Sequence, residues 1–147
     1  MPKDVKKILT PIDFSDYADR ALAWALSLAD RYQAEVTLLY VEPDLTKMWG
    51  AHLLGGKEPA KELTQFWAEN EMRLQHKATD LQQQGKRVTA LIRHGYPFDE
   101  ICKAADEHGI DLIVMGTRGI TGLSHVTMGS VAERVVRHAP CPVLTVR

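Results

Sequence analysis

The chain has 147 residues, 45% hydrophobic and 25% charged, with 18 basic against 19 acidic side chains and a formal net charge of −1. That length fits a single domain over residues 1–147 able to bury a core without staples, and the near-zero charge excludes a global attraction to nucleic acid or anionic lipid. The two cysteines, Cys102 and Cys141, form no CxxC and no zinc spacing, Met1–Lys7 carries no apolar leader, and no run of about 18 apolar residues is present to span a membrane, so a reducing, cytoplasmic setting is expected.

Ile8-Leu9-Thr10-Pro11-Ile12-Asp13 is a short, mainly apolar run ending in a carboxylate. It predicts a first strand over Lys6–Thr10 and a loop over Pro11–Phe14, because proline cannot donate to a ladder. Ser15 stands where an N-cap belongs, with Asp16 and Asp19 in the first turn. Ala18, Ala21, Leu22, Ala25, Leu26, Ala29 and Tyr32 then recur at helical spacing, and Trp24 lies off that stripe. Val36–Val41 is β-rich and apolar, the pattern of a strand buried on both faces. Residues 42–59 read as an irregular stretch containing Gly50, Gly55 and Gly56, whose Met48, Trp49, Leu53 and Leu54 are expected to pack on the surface in preference to forming a lid or partner contact.

Glu58–Gln84 carries a helical stripe of Leu63, Phe66, Trp67, Asn70, Leu74, Ala78 and Leu81, with Gly85 suited to end it. Arg87–Arg93 alternates, as a strand at a sheet edge does, and His94-Gly95-Tyr96-Pro97 is expected to break it. Pro97 opens a helix with Phe98, Ile101, Ala105 and His108 on one face and Gly109 at its end. Asp111–Met115 is the most apolar strand-like run and is expected to be central. Ser130-Val131-Ala132-Glu133 has the capping-box pattern for a helix reaching about His138, and Pro142–Val146 is a last strand.

This alternation of strands and helices predicts a parallel sheet with helices on both faces. Gly116, Gly119 and Gly129 follow the fourth strand and lead into Ser130. Amides turned toward one point, together with the positive end of a helix dipole, make an anion site. Glycines that only make turns and a serine that only caps are the alternative. If the first and fourth strands are neighbours, Asp13 faces this loop. A carboxylate opposite an anion site suits a nucleotide, with phosphates at one end and hydroxyls or amines at the other. There is no G-x-x-x-x-G-K-[ST], and no G-x-G-x-x-G after the first strand. None of the six histidines pairs with another at metal-ligand spacing. His125 and Arg118 could touch phosphate or face solvent, and Thr117, Thr121, Ser124 and Thr127 could contact phosphate or only shape the turn.

Gly116-x2-Gly119-x9-Gly129-Ser130 resembles the ATP-binding signature G-2x-G-9x-G-(S/T) of the universal stress protein family. Ile8–Ser15 resembles that family's first strand and aspartate loop, and Ser130–Leu144 its last helix and strand. The resemblance implies an α/β three-layer sandwich with a five-stranded parallel sheet of order 3-2-1-4-5, Rossmann-like and similar to the adenine nucleotide alpha hydrolases. It implies the ATP-binding subgroup, with nucleotide contacts at Pro11, Ile12, Asp13, Val41, Met115, Gly116, Arg118, Gly119, Gly129, Ser130 and Val131, where Val41 reads the adenine edge through main-chain atoms. The ligand it implies is ATP, or AMP or ADP, with Mg²⁺ as an optional companion of the phosphates. It also implies a cytoplasmic homodimer joined along Val143–Val146, and it carries no role for Lys47–Pro59. The function so expected is a nucleotide-responsive dimeric module in the stress response. A slow ATPase or autophosphorylating protein using Ser124 or Thr121, and a ligand-free dimeric scaffold, are the alternatives. No general base or arginine finger for phosphoryl transfer is visible.

Overall fold

β-rich apolar runs alternate with amphipathic ones along the chain, and they become strands and helices in that order. The computed structural model describes residues 4–43, 61–118 and 128–147. Its elements are β1 (Lys7–Pro11), α1 (Asp16–Tyr32), β2 (Glu35–Pro43), α2 (Lys61–Gln83), β3 (Val88–Gly95), α3 (Pro97–Glu107), β4 (Leu112–Gly116), α4 (Ser130–His138) and β5 (Val143–Val146). The strands form one parallel sheet of order β3-β2-β1-β4-β5. The chain steps from β1 outward to β3, then returns past β1 to β4 and β5. Right-handed crossovers therefore put α1 and α2 on one face and α3 and α4 on the other.

The two-residue period of the strands divides the core between these faces. Ile8, Leu38, Tyr40 and Val114 pack with Ala21, Leu22 and Leu74 on the α1–α2 side. Leu9, Leu39, Ile113 and Met115 pack with Ile101, Ala104 and Val135 on the α3–α4 side. Ser15 caps α1, its Oγ accepting from the Ala18 amide at 3.2 Å. The small stripe of α1 is buried, while Trp24 points outward. Tyr32, in the final turn before a left-handed Gln33 at φ 54°, is half exposed despite its place on the stripe.

In α2, Asn70, Leu74 and Ala78 are buried, but Phe66 is exposed. The start expected at Glu58 lies outside the described residues, as does the whole of 44–60. Gly85, at φ 82°, ends the helix as expected: Gly85 N–H donates to Gln82 O at 2.9 Å and Lys86 N–H to Leu81 O at 3.0 Å, a Schellman pair.

Several boundaries differ from expectation: β1 keeps Pro11 paired with Leu39 where a loop is expected, and β2 takes in Glu42 and Pro43 from the stretch read as irregular, because each lies beside a strand with which to pair. β3 does not break at His94 but stays paired with β2 as far as Pro43↔Gly95, since a ladder already in register continues until Pro97 starts α3. α4 is capped by Gly129 and not by Ser130, for a reason given below. Among the described residues no helix is long and apolar enough to cross a membrane.

Candidate functional site

The strand order reverses between the parallel neighbours β1 and β4, which leaves a crevice beyond their carboxyl ends. β1 stops at Pro11, paired with Leu39, while β2 runs on to Pro43. The backbone phase of β2 is fixed by three bonds. Glu35 N–H donates to Lys6 O at 3.0 Å and Leu39 O accepts from Ile12 N–H at 2.7 Å, so odd-numbered residues face β1. Val36 N–H donates to Arg87 O at 2.9 Å, so even-numbered ones face β3. In a parallel strand, residues two apart direct their peptide groups to the same side. Val41 therefore turns its N–H and C=O toward β1 at a level where β1 has already ended.

The opposite wall is the start of α4. Gly129 N–H donates to Thr117 O at 2.6 Å, and Thr117 N–H donates to Val146 O at 2.9 Å. These bonds tie the entry of α4 to the exit of β4. A Cβ on Gly129 would lie 3.1 Å from Thr117 O, so the approach favours glycine. Held extended at φ −64°, ψ 157°, Gly129 becomes the N-cap, and its carbonyl accepts from Glu133 N–H at 3.0 Å. The capping box expected at Ser130 does not form: the N-cap moves one residue back to Gly129, which has no capping side chain, because the tertiary bond to Thr117 outweighs the local pattern. Ser130, Val131 and Ala132 form the first turn, whose amides have no partner within a helix. All three line the crevice, at the positive end of the helix dipole.

Gly116 meets a different constraint. A Cβ there would fall 2.8 Å from Tyr17 Cβ and 3.0 Å from the Tyr17 carbonyl, so the end of β4 packs directly on α1. Asp13 is held by Ser15, whose backbone N–H donates to Asp13 Oδ1 at 3.0 Å and whose hydroxyl donates to the same oxygen. That leaves Oδ2 for another partner. The intervening Phe14 adopts φ 65°, a left-handed backbone that is costly for a bulky residue. Its ring is packed against Tyr40, centroids 5.5 Å apart, and under the Arg73 guanidinium at 4.1 Å.

One cavity of about 260 Å³ gathers these groups. Pro11, Ile12 and Asp13 line it from the end of β1, Val41 from β2, and Met115, Gly116 and Arg118 from the end of β4. Gly129, Ser130 and Val131 complete the wall at α4. Gly119 lies outside the described residues, as do Thr121, Ser124, His125 and Thr127. Sequence reasoning did not single out the apolar floor, formed by Leu39 and by Pro97 and Ile101 of α3. The signal available for Ile101 was its place on the apolar face of α3, which any core residue shares. Cys102 and Cys141 are absent from the lining, and burial pushes both thiols above their ordinary value.

The description "Universal stress protein family" belongs to the family model that matches residues 4–147. The chain is 37% identical over 142 residues to the universal stress protein MJ0531 of Methanocaldococcus jannaschii, covering 97% of this chain and 82% of that one. The solved structure of MJ0577, a universal stress protein of the same organism, is similar at TM-score 0.79 and 32% identity, covering 98% of this chain and 96% of that one. A universal stress protein of Archaeoglobus fulgidus, solved in complex with dAMP, shares the fold at TM-score 0.69 and 23% identity, covering 99% of this chain and 100% of that one. The chain belongs to the universal stress protein family.

Proposed function

We propose that the crevice holds an adenine nucleotide, with ATP as the first candidate and AMP and ADP as the others, and that the protein is a nucleotide-responsive module of the stress response, acting as a homodimer joined along β5. The observation that carries the reading is the polarity of the cavity. At one wall, the first-turn amides of α4 offer donors and a positive dipole end to phosphate. At the other, Asp13 Oδ2 can accept from a ribose hydroxyl. The N–H and C=O of Val41 form the donor–acceptor pair that matches the ring nitrogen and amino group of adenine. Between these walls, Leu39, Ile101 and Met115 give an apolar floor for the face of the base.

The walls also bear on the phosphate contacts expected of the glycines. The Gly129 amide is committed to Thr117, so the phosphate would be met by the amides of Ser130, Val131 and Ala132. Among the described lining residues Asp13 is the single carboxylate. Mg²⁺ would therefore arrive with the phosphates, in keeping with its habit of keeping waters and few protein ligands. That the fold can house an adenine nucleotide is stated by the dAMP complex of the Archaeoglobus protein.

The test is to denature the purified protein, identify released small molecules by mass spectrometry, and titrate the stripped protein with ATP, ADP and AMP. An adenine nucleotide is expected in the release or saturable binding in the titration. Gly129→Val, which drives a side chain into the Thr117 carbonyl, should weaken binding about tenfold or more, equivalent to about 1.4 kcal/mol. Absence of both release and binding in the wild-type protein overturns the reading.

A further inference from the structure

The face of the sheet turned toward α2 carries a second cluster, separate from the crevice. Glu42 of β2 and His94 of β3 stand directly opposite each other in the parallel register. Both have even numbers, as do Leu38 and Tyr40, so the pair projects onto the α1–α2 side while Val41 turns away from it. His94 Nδ1 lies 2.9 Å from Glu42 Oε2. Glu71 reaches the same point from α2, one residue after Asn70, whose amide donates to the Tyr40 hydroxyl at 3.0 Å and so fixes that part of the helix against β2. One ligand atom from each of Glu42, Glu71 and His94 lies within 4.8 Å of the other two.

A second observation concerns Glu42 alone. Its side chain is 1% exposed, and its Oε1 has no hydrogen-bond partner. A buried carboxylate oxygen left unpaired beside a second carboxylate is a costly arrangement that calls for a shared cation. The neighbouring cation Arg73 is occupied over the Phe14 ring and with Asn70 Oδ1 at 3.4 Å. His94 is well exposed, so the cluster opens to solvent on its imidazole side.

We propose that Glu42, Glu71 and His94 form a binding site for a divalent transition-metal ion, Zn²⁺ by donor chemistry. The imidazole favours Zn²⁺ over Mg²⁺ or Ca²⁺, the carboxylates neutralise its charge, and three protein ligands leave a position for water. The ion would join the edge strand β3 to β2 and α2. It shares no residue with the crevice and does not depend on a nucleotide.

The test uses the full chain, stripped with a chelator and free of nucleotide, titrated with ZnCl₂ against a chromophoric competitor. One equivalent should bind. His94→Ala and Glu71→Gln should each weaken uptake about tenfold or more, by the usual effect of disturbing a metal's ligand shell. His108→Ala, a change at another exposed histidine, should leave it unaltered. Circular dichroism checks that each variant is folded. Anomalous diffraction from Zn²⁺-soaked wild-type crystals gives an independent readout, with density expected between the three side chains. Absence of a one-equivalent site, uptake that persists within twofold in either variant, or anomalous density elsewhere overturns the proposal.

Discussion

Thr10 sits in the middle of β1 with no exposed surface, and its Oγ1 has no hydrogen-bond partner. An unsatisfied buried hydroxyl is a cost, whereas an apolar group of the same shape is not. Thr10→Val is therefore expected to leave stability unchanged or raise it by about 1 kcal/mol, read from the urea midpoint. A loss of more than about 1 kcal/mol would mean that the hydroxyl has a partner in solution. Asp13 is the contrasting case. Its carboxylate is anchored through one oxygen by Ser15, and the left-handed turn at Phe14 carries it into the cavity lining. The sequence made Asp13 conspicuous by its position after a strand. It gave no sign of the Phe14 conformation, because that backbone is held by a ring packed on Tyr40 and Arg73, neighbours remote in the chain.

At the scale of elements, α3 is fixed to β3 through Arg93, which bonds Glu100 at 2.9 Å and Glu107 at 2.7 Å. Glu100 is buried. Arg93→Met leaves that carboxylate with Lys103 at 4.0 Å as its remaining cation and should cost about 3 kcal/mol, with part recovered by adding Glu100→Gln, as measured by thermal or urea unfolding. The same arginine, through its hydrogen bond and then its charge, holds the exposed Glu107 carboxyl below its ordinary value. A carboxyl depressed in the folded state lends stability that is present above its ordinary value near 4.5 and lost as pH falls through the folded value. Glu107→Gln should accordingly flatten the acid limb of the stability profile as pH falls below the ordinary value near 4.5. An unchanged slope would count against the pairing. The elements themselves were legible in sequence, since helical and two-residue periods reflect local geometry. The misplaced features were decided elsewhere. Gly129 took the cap from Ser130 because of a bond to Thr117, and β3 outran its expected end because β2 lay beside it. The Glu42–His94 pair was hidden because cross-strand register does not appear in spacing along the chain.

At the scale of the molecule, the sheet has two edges with different characters. β3 carries the charged Arg93 and the polar His94, side chains of the kind that discourage edge pairing. β5 is short and apolar, with Leu144 exposed and Val136 of the adjacent α4 exposed as well. The carbonyls of Pro142, just before β5, and of its Val146 face β4, accepting from Ile113 and Thr117, so Val143 and Thr145 turn their peptide groups outward. The proposed dimer would pair there with its twin across a two-fold axis. Proline at an outward-facing edge position leaves the β4–β5 ladder intact and removes the donor needed by a partner strand. Thr145→Pro should sediment as a folded monomer where the wild type sediments as a dimer. A wild type that is monomeric at every concentration would sink the proposed assembly.

The early stop of β1 beside Val41 bears on how this site can change over time. What position 41 offers the crevice is a peptide group, and every residue except proline carries both halves of it. A mutation at 41 to anything but proline can crowd the gap but cannot erase its donor and acceptor. Inheritance of that feature rests on the relative lengths of two neighbouring strands, so drift in residue identity there is cheap, while a single inserted residue in β2 before Val41 would turn the wrong peptide toward the gap.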